Sequence, residues 1–342
     1  MKITRIGLDI AKDVFVVHGV DRSDRAVLGK RLSRGKLRGF FARLEPCLVA
    51  MESCGGAHHW AREFEALGHE VKLIAPQFVS PYRRGGKNDD NDARAICEAA
   101  GRPDMRFVPV KSLEQQSVLM LHRARELLVG ERTALANQIR GLLAEFGIVV
   151  RQGMSALRRA LPEVLEEADN GLPAMAREVV AELDERLRDL DARVSQYDRR
   201  LALLAKEMPA ATRLMEVPGI GPLTATALVA SIGDARAFSS GRQLAAWLGL
   251  VPKQYSSGGT TRLGRITRRG DRYLRTLLVH GARAQVCHAA KRSDARSQWI
   301  QDVRARRGFN KATVALAARN ARIVWALLAR EQHFQTPLPQ AA

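Results

Sequence analysis

Apolar and polar positions alternate with a period of two over Ile3–Asp9 (ITRIGLD), Val14–Val20 (VFVVHGV) and Arg25–Leu32. That period predicts three short strands joined by turns, an antiparallel meander. A helical stretch follows around Lys36–Leu44, then the apolar strand Cys47–Glu52 (CLVAME). Gly55 and Gly56 interrupt the pattern before a helix over Ala57–Leu67, which Gly68 closes. A further strand, Val71–Ala75, ends at Pro76, and a helix runs from Asn88–Asp89 to Ala100. The predicted order is βββαβαβα.

Pro103 to Pro109 reads as a linker, and Ser112 with Gln115 forms a capping box that opens a long helix to about Phe146. A second long helix follows Pro173. Its apolar positions Val180, Leu183, Leu187, Leu190, Val194, Tyr197, Leu201 and Leu204 are spaced 3-4-3-4-3-4-3, the seam of a coiled coil. The seam can pair with the first long helix or with another subunit, and the spacing does not choose. Pro209 ends the helix. Val217–Pro218–Gly219–Ile220–Gly221–Pro222, followed by TATALVASIG, reads as a helix-hairpin-helix-like motif. There Gly219 and Gly221 would let backbone N–H groups approach a phosphate at the next helix's N-terminus, although the same turn also serves plain helix packing. Arg242–Leu250 reads as a short helix, Val251–Arg265 as a Gly/Ser-rich loop, Asp271 as a helix cap, and TPLPQAA as a disordered tail. The chain thus divides into an α/β domain over 1–102, a helical coiled-coil region over 103–208, a mainly helical domain over 209–335, and a tail over 336–342. The fold class is α/β plus all-α, and the strand and helix order of the first domain is that of a ribonuclease-H-like fold.

Charge sharpens this picture. The 342 residues carry 55 Lys+Arg against 36 Asp+Glu, a formal charge of +19. Residues 261–342 hold 17 Lys+Arg against Asp271, Asp294, Asp302 and Glu331, and so supply +13 of that excess. A block of this kind points to a polyanion, most simply nucleic acid, rather than to a merely solubilising surface. Cys47, Cys54, Cys97 and Cys287 show neither CxxC pairing nor finger-spaced histidines, which argues against a disulfide scaffold or a structural zinc. No stretch approaches about 18 uninterrupted apolar residues, and acids interrupt the N-terminus where a signal peptide needs its apolar core. A cytoplasmic protein with no membrane partner is expected.

Two constellations carry chemistry. Asp9 ends the first strand, Glu52 ends the fourth, and Asp89 and Asp92 share one helix face because residues three apart are neighbours. In a meander-plus-crossover sheet the first and fourth strands lie side by side, so the four acids converge. Such a cluster repels itself unless cations neutralise it, and its hard oxygens suit Mg²⁺ or Mn²⁺, two ions being the usual device for phosphodiester displacement. Asp90 lies one step off that face. The second constellation is KQYSSGGTTRLGRITRRGDRYLR, with Ser256 and Ser257 between Tyr255 and two glycines, then Arg262, Arg265, Arg268, Arg269, Arg272 and Arg275. A serine beside guanidinium groups can attack a phosphate while they stabilise the developing charge, but serine-glycine loops more often only turn the chain.

GLDIAKD, MESCG, KNDDNDARAICEA, EVPGIGPLTATALVASIGD, LAAWLGLVPKQYSSGG and GRITRRGDRYLR, in this order over nearly the whole chain, resemble the transposases of insertion-sequence family one-ten, particularly its eleven-eleven subgroup. These are DEDD transposases related to the Piv DNA invertase, some of them bridge-RNA-guided recombinases. The resemblance implies a RuvC-like first domain, a coiled-coil insertion and a C-terminal transposase domain. It implies Asp9, Glu52, Asp89 and Asp92 as metal ligands, and Ser257, the serine of a Y-x-S-G motif, as a nucleophile that forms a covalent phosphoserine bond to DNA. It further implies a composite site, a noncoding guide RNA pairing with target and donor DNA, and a homo-oligomer, dimer or tetramer, through the coiled coil. The rival readings are a RuvC-type nuclease that resolves junctions by water attack, and an architectural DNA-binding protein with inert acids.

Overall fold

The computed structural model describes residues 2–86 and 88–335, and the expected disordered tail, 336–342, lies outside them. The chain forms two compact units, 1–112 and 113–342. The first is built on strands β1 (Arg5–Asp9), β2 (Val14–Val20), β3 (Ala26–Ser33), β4 (Leu48–Glu52), β5 (Glu70–Ile74) and β6 (Phe107–Val108). Their spatial order is β3-β2-β1-β4-β5-β6. β1 pairs antiparallel with β2 and parallel with β4, so the predicted adjacency of the first and fourth strands is present. β6 falls within the stretch expected to be a linker, and pairs with β5. Residues 103–112 therefore belong to the first unit, and the boundary lies at Ser112/Leu113, not at 102/103.

Alternation along the strands decides what each face carries. Ile6, Leu8, Val49 and Met51 are buried with Leu37, Phe41, Trp60 and Phe64 of helices α1 (Arg34–Phe41) and α2 (Ala57–Ala66). The intervening residues Gly7, Asp9, Ala50 and Glu52 face the other side. There α3 (Pro76–Val79) and α4 (Asp89–Ala100) pack, with Ala50 and Ile74 against Ala95, Ile96 and Ala99. Gly7 sets how closely α4 approaches: a Cβ there would lie 2.2 Å from the Ala93 carbonyl oxygen and 2.5 Å from the Cys97 nitrogen. These are backbone atoms of a packed helix and cannot swing aside. Gly7→Ala is expected to cost about 2–3 kcal/mol and to lower the melting temperature of the first unit by several degrees in a thermal scan. An unchanged melting curve would mean that α4 can lift without loss.

The second unit begins with an antiparallel pair, α5 (Leu113–Ala144) and α7 (Ala174–Glu207). Ion pairs Arg125–Asp198 and Arg132–Asp191 link them, a seven-residue advance on one helix matching a seven-residue retreat on the other. The first part of the seam predicted from Val180 to Leu204 is occupied within the chain: Val180, Leu187 and Leu190 are buried with Leu135 and Ile139 of α5. A helix that the sequence pattern had not marked, α6 (Met154–Glu166), adds Leu157 and Leu161 to the same core. The remaining helices are α8 (Pro209–Met215), α9 (Pro222–Ile232), α10 (Gly241–Trp247), α11 (Arg272–His288), α12 (Ala295–Arg307) and α13 (Phe309–Arg330), which share another core. By length and mean hydropathy α13 would pass for a membrane span, yet Leu316, Ala317, Ala321 and Val324 are fully buried in that core.

A buried polar joint fixes the α5, α9 and α11 helices together. The Thr226 hydroxyl donates to the Pro222 carbonyl at 2.8 Å, so it accepts from His122 Nε2–H at 3.0 Å, and His122 Nδ1 accepts from the Tyr273 hydroxyl at 3.0 Å. Burial first, then Arg125 and Arg123, push the His122 pKa down to about 4, so the ring is neutral as this pattern requires. Tyr273 opens α11, the helix that follows the serine segment. Its position is thereby tied to the long helices.

Candidate functional site

Asp9 stands at the carboxyl end of β1, at the strand ends where a crossover sheet presents its loops. Burial, then the charges of Asp92, Asp89 and Glu52, push its pKa up to about 6. All three partners are acids singled out from sequence, close enough to Asp9 for their charges to act on it. Asn88 caps α4, its side-chain oxygen accepting from Asn91 N–H at 2.8 Å, which places Asp89 and Asp92 in the first turn. The helix dipole there favours negative charge. Asp92, 9% exposed, accepts a hydrogen bond from Arg83 Nε. Asp90 points elsewhere and pairs with Arg31 at 2.6 Å. Among the described residues, no three His, Cys, Asp or Glu side chains are drawn together closely enough to enclose an ion. By charge and donor type the four acids nevertheless fit a divalent cation. At neutral pH Asp9 is ionised against burial first and its neighbours' repulsion second, and a cation would relieve the repulsion.

The segment expected to be a Gly/Ser-rich loop, Val251–Arg265, is a hairpin: β7 (Pro252–Ser257) and β8 (Thr260–Ile266). Gly258 and Gly259, with φ +55° and +77°, form the two-residue turn whose twist suits paired strands, and β-prone Thr260 and Thr261 follow it. Register then sorts the side chains. Tyr255 lies opposite Arg262 and Ser257 opposite Thr260, so these four share one face. Ser256 lies opposite Thr261 on the other face, with Leu263, which lies opposite Gln254. Ser256 Oγ accepts from Gln254 Nε2 at 2.8 Å, whereas Ser257 Oγ has no partner among the described residues. Ser257 is thus the free hydroxyl, with Arg262 as the guanidinium on its own face. Tyr255 and Leu263 are 63% and 65% exposed.

The other predicted phosphate-binding groups divide. Arg262, Arg265, Arg268, Arg269 and Arg272 are exposed, and none pairs with a carboxylate among the described residues. Arg275 is instead a strut: its guanidinium donates to the Leu248 carbonyl at 3.1 Å and the Arg269 carbonyl at 3.4 Å, at the foot of the hairpin, and burial lowers its pKa. Gly221 caps α9 in open space. Gly219, at φ +91°, packs against the Gly281 carbonyl of α11, where a Cβ would come within 2.9 Å. Its absent side chain serves helix packing. Beneath this turn the Pro218 carbonyl accepts from buried Arg296 at 3.0 Å, and Arg296 also donates to Asn320 Oδ1 at 2.7 Å. Sequence reasoning missed Arg296, Arg83 and Gly7. Only Gly7 carried a signal, a glycine inside an apolar strand.

A mixed α/β sheet followed by a helical unit is compatible with the DEDD class of transposases. The IS110-type DEDD transposase family matches residues 6–148, and the transposase family IS116/IS110/IS902 matches residues 211–298. A Pseudomonas aeruginosa protein named "Probable family 20 transposase" is 55% identical over 97% of this chain and 98% of its own. The transposase for insertion sequence element IS1111A of Coxiella burnetii is 43% identical over 96% and 91%, and that for IS1328 of Yersinia enterocolitica 41% identical over 94% and 96%. The chain belongs to the IS110/IS116/IS902 family of insertion-sequence transposases, enzymes that act on DNA by transposition.

Proposed function

We propose that this transposase exchanges strands through a phosphoserine bond at Ser257, with Asp9, Glu52, Asp89 and Asp92 holding Mg²⁺ or Mn²⁺. The observation that carries the reading is the hairpin register, which sets an unpartnered serine hydroxyl on the same face as Arg262. When bound, the divalent ions would supply Lewis-acid activation of the attacking and leaving oxygens. The chain's own residues do the rest. Ser257 Oγ gives up its proton and attacks the phosphorus, the bond from phosphorus to the strand's 3′-oxygen breaks, and that oxygen takes up a proton and leaves as a 3′-hydroxyl. Arg262 lies against the non-bridging oxygens and stabilises their charge. The ester keeps the phosphodiester's energy, so a second strand's hydroxyl can displace Ser257 and rejoin the DNA without ATP. We infer that Gly221 and the α9 N-terminus contact backbone phosphates in a helix-hairpin-helix-like manner. The noncoding guide RNA and the homo-oligomer rest on the resemblance. Within one chain the seam residues Val180, Leu187 and Leu190 are buried with Leu135 and Ile139 of α5.

The test uses nicked element-end DNA with Mg²⁺, protease digestion and mass spectrometry of the DNA-linked peptide. An adduct on Ser257 is the expected product. Free 5′-phosphate ends with no adduct would return the protein to water-attacking nuclease chemistry. A second measurement addresses the basic surface. Neutralising Arg265, Arg268 and Arg269 together should weaken binding of duplex DNA of any sequence and lower the slope of log affinity against log salt by up to about 2.7, since each lost phosphate contact releases roughly 0.9 fewer counterions. An unchanged slope in an anisotropy titration would leave these arginines as solvated surface.

A further inference from the structure

We propose that the groove between α4 and the β2–β3 edge of the first unit is a nucleotide subsite, holding one sugar-phosphate unit of a single nucleic-acid strand. The groove has a volume of about 390 Å³, within the range of a site for one small ligand. It exists because α4 covers β1 and β2 but not β3, and because Gly29, paired with His18, adds no side chain to that face. Arg84 from the segment after Tyr82 and Arg94 from α4 line it. The carboxylates that also line it are already neutralised: Asp24 by Arg5 at 2.5 Å, and Glu98 by Arg102. Neither Arg84 nor Arg94 has an anionic partner among the described residues, so the groove carries two uncompensated guanidinium groups. These are the residues that grip phosphate in a planar, two-point manner.

Three further features suit a nucleotide. The Tyr82 ring forms one wall, with the Arg102 guanidinium 5.7 Å from its centroid. His18, kept neutral by burial and by Arg94, offers ring nitrogens to a base edge or sugar hydroxyl. The segment bearing Arg84 is held in place by Asn91 Nδ2, which donates to the Gly86 carbonyl at 2.8 Å. The groove lies on the flank of α4 opposite the face that carries Asp89 and Asp92, so it is separate from the acidic group.

Photo-crosslinking of the full chain in EDTA tests this directly, since no metal is needed and the outcome is independent of the carboxylate reading. The probes are a 4-thiothymidine DNA 12-mer and a 4-thiouridine RNA 12-mer of matched sequence. A crosslink to the peptide spanning residues 76–98 is expected, with its yield reduced at least tenfold in Arg84→Ala/Arg94→Ala and by less in Arg84→Lys/Arg94→Lys, which keeps the charge but loses the two-point grip. Crosslinks to the serine hairpin should persist in all variants. The salt slope for the preferred strand should fall by about 1.4 in the alanine variant, two single-strand phosphates at roughly 0.7 each. Labelling by the RNA alone would assign the groove to a guide strand, and labelling by the DNA to the element or its target. Crosslinks confined to the second unit, or an undiminished yield in the alanine variant, would overturn the proposal.

Discussion

Ser257→Ala is expected to abolish the protein–DNA adduct and to reduce recombination by at least about a thousandfold, the scale seen when a nucleophile acting within a catalytic unit is removed. The change deletes one oxygen. Ser257 sits exposed on a two-stranded hairpin, so its loss should leave stability within about 0.5 kcal/mol, and any fall in activity reports chemistry. Ser256→Ala supplies the contrast. Its hydroxyl lies on the opposite face and is engaged by Gln254, so most activity should survive. The measurement is adduct yield on nicked DNA alongside recombination of an element-end reporter. An adduct that persists in Ser257→Ala and disappears in Ser256→Ala would move the nucleophile by one residue and invert the argument from register.

The second large effect is at Asp9. Asp9→Asn should lower recombination by several orders of magnitude while DNA binding survives, because it removes one ligand charge from the proposed metal group. The same substitution should stabilise the metal-free protein. Asp9 titrates near 6 when folded against 3.8 in the free residue, so the folded state binds protons more tightly. Stability therefore falls as pH rises from about 4 to about 6, and the full penalty is present at neutrality. Asp9 is only half-buried, and solvent screening leaves about 1 kcal/mol of that penalty, or a rise of a few degrees in melting temperature on replacement by Asn. In EDTA the variant should melt above the wild type at pH 7.5 and level with it near pH 4, and Mg²⁺ should raise the wild-type value alone. Full activity of Asp9→Asn in Mg²⁺ would end the metal reading.

Much of this was legible in the chain because period-two and period-3.6 patterns are written by burial. Strands β1 to β5 and helix α4 fall within a few residues of their predicted bounds. That Asp9 feels the charges of Asp92, Asp89 and Glu52 was legible from strand adjacency and helix spacing. The serine hairpin was hidden because its apolar members Tyr255 and Leu263 are exposed and write no burial pattern, and its pairing comes from a Gly-Gly turn and threonines that read equally well as a loop. Helix α6 was hidden because its four-turn pattern, interrupted by Pro162, is short beside the two long helices that flank it. The Arg83–Asp92 pair and the Arg296–Pro218 contact join residues 9 and 78 positions apart, and a charge count carries no information about which cation meets which anion.

The fixed offset between α5 and α7, in which residues 125 and 198 meet and residues 132 and 191 meet, makes the pair a ruler with seven-residue graduations. Removing seven residues from each helix at matched heights would restore every facing position and shorten the arm by about 10 Å. Removing them from one helix alone would leave its partner's seam facing water. Arm length can therefore vary in whole steps without disturbing the polar joint at His122 or the hairpin that carries Ser257, so reach and chemistry are separable quantities in this chain.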